Sequence, residues 1–233
     1  MSIVSAKHSV WRLNDALALY DDGRRKARVD LHHPGAGLHD WRTSGEAGSA
    51  ARLLGVDLGE VAADELSLPE SYARVDDLVA TYRRTASRPF RLQAYWRHVE
   101  LAAGGACGDV SAFDLEVSIN TDLLDTRPTV DVVSTLGPAT VVRAADERML
   151  LVRPVDADWS YVEIAHPADD CATRIDARHG TTEVRRTLFG RFLEKGVIVR
   201  ARLRGALVPR THEEAAAGTL REALLSAPLP LTT

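Results

Sequence analysis

Three arginines at a spacing of two, Arg200, Arg202 and Arg204, form the densest chemical signal in the chain. They sit in KGVIVRARLRGALVPR, where Val197, Val199, Ala201 and Leu203 take the opposite parity. Alternation with a period of two marks a β-strand with one apolar face. A guanidinium fork binds oxyanions bidentately, so an open row of this kind suits a uronic acid, a sulfated sugar or a phosphate. Acids on neighbouring strands would satisfy the same row. Asp114/Glu116 and Glu163 are the acidic positions at hand, and charge compensation by them is the default expectation. An exposed ladder of that sort is worth only about 0.2–1 kcal/mol per pair.

A second polar row, Arg91, Gln93, Tyr95 and Arg97, alternates with Phe90, Leu92, Ala94 and Trp96. Aromatic faces stack on the C–H groups of a sugar, while amide and guanidinium donors meet its hydroxyls. The row is therefore a candidate carbohydrate surface if it lines a concavity. Otherwise it is a solvated sheet face with cross-strand pairs. The segment SYVEIAHPADD supplies Glu163 and His166 as candidate acid–base groups. Burial and neighbours can tune either side chain toward neutral pH. Glu163 shares a face with Tyr161, whereas His166 takes the parity of Val162 and Ile164 and leads into Asp169 and Asp170.

His32, His33 and His39 lie close to Asp40 in DLHHPGAGLHDWR, a set that suits Zn, Fe or Mn. Adjacent strand residues point to opposite faces, however, and the spacing matches no zinc-protease or deaminase pattern. A polar strand end with Trp41 packed on the sheet accounts for the histidines as well. Neither a G-K-[ST] phosphate loop nor a G-x-S-x-G elbow occurs, and no cofactor is expected.

Cys107 and Cys171 make no C-x-x-C pair, so a reduced, cytoplasmic chain is the simplest expectation. The opening MSIVSAKHSVWRLND has no apolar core of a signal peptide, and no stretch has the length of a membrane span. A net charge of −4 leaves no electrostatic footprint for nucleic acid. Only Lys7, Lys26 and Lys195 are lysines among the 29 basic residues, a bias that genomic base composition explains.

These candidates need a scaffold, and its dominant period is two. Segments 27–33, 90–100, 113–123, 128–136, 140–144, 149–154, 160–167 and 197–208 read as strands, and 171–190 as a hairpin turning at His179-Gly180. Phe113, Leu115, Val117 and Ile119 should be buried, with Asp114, Glu116, Ser118 and Asn120 exposed. Such alternation implies antiparallel sheets, and no strand–helix–strand rhythm interrupts it. Residues 76–83 suit a strand or a short helix, and 35–50 reads as turns and loop. Thr211 to Ala227 reads as a helix, with Thr211 and Glu214 as a capping box and Pro228 as its stop. At 233 residues, the expectation is a mainly β chain. Residues 1–210 form one large antiparallel β-sandwich domain, 211–227 a packed C-terminal α-helix, and 228–233 a tail.

Long sheets with polar concave faces are similar to carbohydrate-handling sandwiches, including the galactose-mutarotase-like supersandwich. That is an analogy of fold and rests on no motif. The functional expectation is a chain that binds or modifies a carbohydrate or other anionic small molecule through a polar sheet face. The alternatives are a non-catalytic structural or interaction module, and a His-ligated metal-dependent enzyme. A site for a ligand should gather His, Glu and Arg in one cavity, whereas a scaffold should disperse them.

Overall fold

Period-two segments that each bury one face must stack sheet against sheet, and this chain does so. The computed structural model describes residues 9–43, 49–59, 70–100, 109–143 and 147–227. Cys107, the tail 228–233 with Pro228, and part of the expected 35–50 loop lie outside the described residues. In chain order the strands begin with β1 (Trp11–Asn14), β2 (Leu17–Asp21), β3 (Arg25–Asp30) and β4 (His39–Thr43). Then follow β5 (Arg52–Asp57), β6 (Glu70–Arg74), β7 (Asp77–Tyr82), β8 (Arg91–Val99) and β9 (Ser111–Asn120). Next come β10 (Thr129–Leu136), β11 (Ala139–Arg143), β12 (Met149–Pro154) and β13 (Trp159–Ala165). The hairpin β14 (Cys171–Arg178) and β15 (Thr181–Phe189), the long strand β16 (Ile198–Pro209) and one helix, α1 (Glu213–Ser226), complete the order.

All pairings are antiparallel. An eight-stranded sheet runs β11-β12-β13-β16-β9-β8-β7-β6, and two four-stranded sheets run β1-β2-β3-β4 and β14-β15-β10-β5. The expected β-sandwich with a C-terminal helix is thus the observed architecture, built from three sheets. One apolar cluster joins all three, from Trp11 and Tyr20 through Val132 and Val184 to Leu203 and Leu207. Phe113 on β9 meets Trp11, Tyr20, Trp41 and His98 at centroid distances of 4.8–6.2 Å, which seats the N-terminal sheet on the large one. The β14–β15 turn uses His179 and Gly180 at φ of 52° and 74°, the left-handed pair that tight hairpins need.

The large sheet has a second apolar patch on its other face. Ala112, Val162, Ile164, Ala206 and Val208 are covered there by Ala216, Ala217, Leu220 and Leu224 of α1. These positions follow helical spacing.

Of the two readings of 76–83 the strand is the one that forms, as β7. Other expectations are corrected. Residues 39–43, inside the expected loop, form β4. The capping box does not form, because 210–212 make a 3-10 turn and the helix starts without a side-chain cap. Glu213 instead anchors the first turn, accepting hydrogen bonds from Ser160 and from Arg153.

Candidate functional site

Register decides which polar side chains meet on the outer face of the large sheet. Directly paired residues on neighbouring strands share a face, so three rows cross it. The first runs Thr81, Gln93, Ser118, Arg200. The second runs Tyr72, Val79, Tyr95, Glu116, Arg202. The third runs Asp77, Arg97, Asp114, Arg204. At the far end of the second row the chain leaves β13, and His166 donates its backbone N–H to the carbonyl of Arg202.

The helix covers only part of this face, and the uncovered remainder next to it is a cavity of about 630 Å³. Its lining brings together Glu116, His166, Asp169, Arg200 and Arg202, with Leu225 from the end of α1. Arg200 donates from Nε to the Ser118 hydroxyl at 3.0 Å and lies 3.5 Å from Glu116 Oε1. Asp169 accepts the backbone N–H of Arg202 at 2.6 Å. Burial raises the Glu116 carboxyl above its usual range, against the pull of Arg200, Arg97 and Arg202. Burial raises Asp169 too, opposed by the Arg202 N–H and by His166. His166 is lowered by burial and then by the Arg202 charge, opposed by Asp169. Its Nδ1 accepts the N–H of Ala168 at 3.3 Å.

The three arginines of the alternating strand have separate fates. Arg204 lies beneath α1, forms a bidentate pair with Asp114 at 2.7 and 2.8 Å, and donates to the Leu220 carbonyl. Arg200 is shared between Ser118 and Glu116. Arg202 is only 5% exposed, yet among the described residues its guanidinium has neither an ion pair nor a hydrogen bond. The expected exposed ladder is therefore corrected. Arg202, Arg204, Glu116 and Ser118 are all buried, because α1 and the chain after β13 cover this end of the sheet.

The row Arg91, Gln93, Tyr95, Arg97 does lie on this face, knitted into the sheet. Arg97 pairs with Asp77 at 2.6 Å, and Arg91 lies 3.8 Å from Glu70. Gln93 donates to Thr81 at 3.0 Å and accepts from the Tyr95 hydroxyl at 2.8 Å.

Glu163 does not join His166. It points to the opposite side of the large sheet and is 1% exposed, pressed against β15 and β10. There Arg186 donates to Oε1 at 2.9 Å, and Ser134 and Tyr161 donate to Oε2 at 2.8 Å each. Arg186, fully buried, also donates to Thr173 and to the carbonyls of Glu147 and Arg148. This carboxylate is a core ion pair with no route to a ligand, so the expectation of acid–base work at Glu163 is not supported.

The histidine set also disperses. His33 pairs with Asp30 at 3.0 Å, His39 Nδ1 bonds the Gly37 carbonyl at 2.8 Å, and His32 is half-buried beside the turn. Among the described residues no three His, Cys, Asp or Glu side chains gather as a metal site would require.

Glu116 and Asp169 were not among the expected site residues. Their only sequence signal was proximity, Glu116 by parity on an acidic strand and Asp169 by following His166.

No family model matches the chain. No curated protein matches it either. Among solved structures, a heparinase III is similar in fold, with a TM-score of 0.46 and 8% identity. The match covers 86% of this chain, which spans 36% of that one.

Proposed function

We propose that this chain binds an anionic small molecule in the cavity over β9 and β16, with a sugar carboxylate as the best chemical fit. The carrying observation is Arg202, a largely buried residue that lines the cavity beside Glu116 and Asp169 and whose guanidinium makes no hydrogen bond or ion pair among the described residues. A bound oxyanion would give that guanidinium charge-assisted hydrogen bonds. The planar fork matches a carboxylate in two parallel bonds. Arg200 adds a second positive charge, and His166, whose Nδ1 accepts the Ala168 N–H, can donate from Nε2 to a ligand oxygen. The convergence of His, Glu and Arg in one cavity favours a ligand site over an interaction scaffold.

Calorimetric titration with galacturonate at pH 7 and low salt tests the reading. The wild-type chain should bind, and Arg202→Ala should weaken binding about 10–100-fold, as loss of a charged hydrogen bond predicts. Absence of binding by galacturonate, glucuronate and a sugar phosphate would sink the proposal.

A further inference from the structure

The cross-strand row that brings Glu116 and Arg202 to the cavity continues across the sheet beyond it. Tyr72 on β6 and Tyr95 on β8 stand in the same cross-strand row as Glu116 and Arg202. Four strand spacings separate Tyr72 from Arg202, about 19 Å at the usual inter-strand distance. That is far longer than one pyranose ring. Tyr72 is 48% exposed and Tyr95 is half-buried, with the Tyr72 hydroxyl close enough to help raise the Tyr95 phenol, after burial itself.

The flanking rows differ in kind. On one side run Thr81, Gln93 and Ser118, bonded to one another, to Tyr95 and to Arg200, which ends that row. On the other, Arg97–Asp77 and Arg204–Asp114 are closed ion pairs. A polymer lying along the Tyr72–Arg202 row would therefore meet two tyrosine side chains beneath it, polar groups beside it and, at its end, a guanidinium with no hydrogen bond or ion pair among the described residues. A sugar chain has C–H faces for the rings and hydroxyls for the amides, and a uronic acid supplies the anion.

We infer that the ligand is an acidic oligosaccharide laid across the strands, with a carboxylate at Arg202 and its following rings over Tyr95 and Tyr72. This rests on the anion-binding reading above, and it adds length, direction and two residues that select for length. Tyr72 and Tyr95 act by stacking and touch no charge.

The experiment measures affinity for mono-, di-, tri- and tetragalacturonate against the full chain, alongside neutral malto-oligosaccharides and oligoglutamate. Affinity should rise with length, at least about tenfold from monomer to tetramer. Tyr72→Ala should abolish most of that rise while leaving the monomer's affinity unchanged. Arg202→Ala should weaken every acidic length. If the monomer binds through Arg202 and longer chains bind no tighter, or Tyr72→Ala changes nothing, the oligosaccharide inference falls and the anion site stands. If no acidic sugar of any length binds, both fall. Equal binding of neutral chains would remove the role of charge. A matching length dependence for oligoglutamate would replace the glycan with an acidic peptide.

Discussion

Glu163 and Arg202 show how differently a charged side chain can be held under a sheet. Glu163 and Arg186 satisfy one another in the core, with Ser134, Tyr161 and Thr173 completing their bonds. Removing one partner strands the other in a medium of low dielectric. Glu163→Met or Arg186→Met alone should therefore cost about 3–5 kcal/mol in urea unfolding. Replacing both with methionine should recover much of that loss, which a double-mutant cycle would read directly. A double change that costs the sum of the two single changes would show that the pair carries no coupling.

The cavity predicts a pH dependence with one sign. Glu116 and Asp169 are raised by burial, so as pH falls they lose their negative charges earlier than ordinary carboxylates would. His166, lowered by burial and Arg202, gains its positive charge at a lower pH than usual. Each step makes the lining less hostile to an anion, whose own carboxyl titrates near about 3.5. Binding of galacturonate should tighten several-fold between pH 7.5 and pH 5, and Glu116→Gln should flatten the change. Weaker binding at pH 5 would contradict this account of the lining.

At the scale of elements, β16 is the strand around which both cores are built. Its inner side chains Ala201, Leu203 and Leu207 join the inter-sheet core, while Ala206 and Val208 lie under α1. Gly205 packs against Leu54 of β5 across the core. A Cβ added there would stand 2.7 Å from the Tyr161 hydroxyl and 3.0 Å from a Leu54 methyl. Gly205→Ala should destabilise by about 1–3 kcal/mol through overpacking, and it also presses on the hydroxyl that serves Glu163. Thermal melts of the variant would test it, an unchanged midpoint being the contrary result.

The strand itself was legible, since Val, Ala and Leu alternate with arginine over its first half. Its second half, Gly205 to Val208, loses the alternation because both faces are covered, one by a sheet and one by a helix. The same covering explains why β5 and β7 carried only a weak signal, their residues being almost uniformly buried. The helix was placed to within two residues, but its start was misjudged because side chains of β12 and β13 hold its first turn.

At the scale of the whole molecule, one apolar cluster reaches from β1 to β16 through all three sheets. We propose that residues 1–210 behave as one cooperative domain with the helix docked on it. Calorimetry should give a single transition with matching calorimetric and van't Hoff enthalpies. Two separated transitions would divide the chain. No helix among the described residues is long and apolar enough to cross a membrane.

Alternation by itself determined the β-rich class, the antiparallel pairing, most strands, the hairpin turn and the C-terminal helix, because each is a property of neighbouring residues. Parity also placed Glu163 and His166 on opposite faces. What lies over each face is a long-range fact that no local pattern carries. Only the tertiary structure decided that Glu163 faces Arg186, and that Arg204 lies beneath α1. It also decided that Arg202, identical to Arg204 in local sequence signal, lines a cavity beside Glu116 and His166. The distinction arises from where one helix ends, and a row of equivalent arginines cannot encode that.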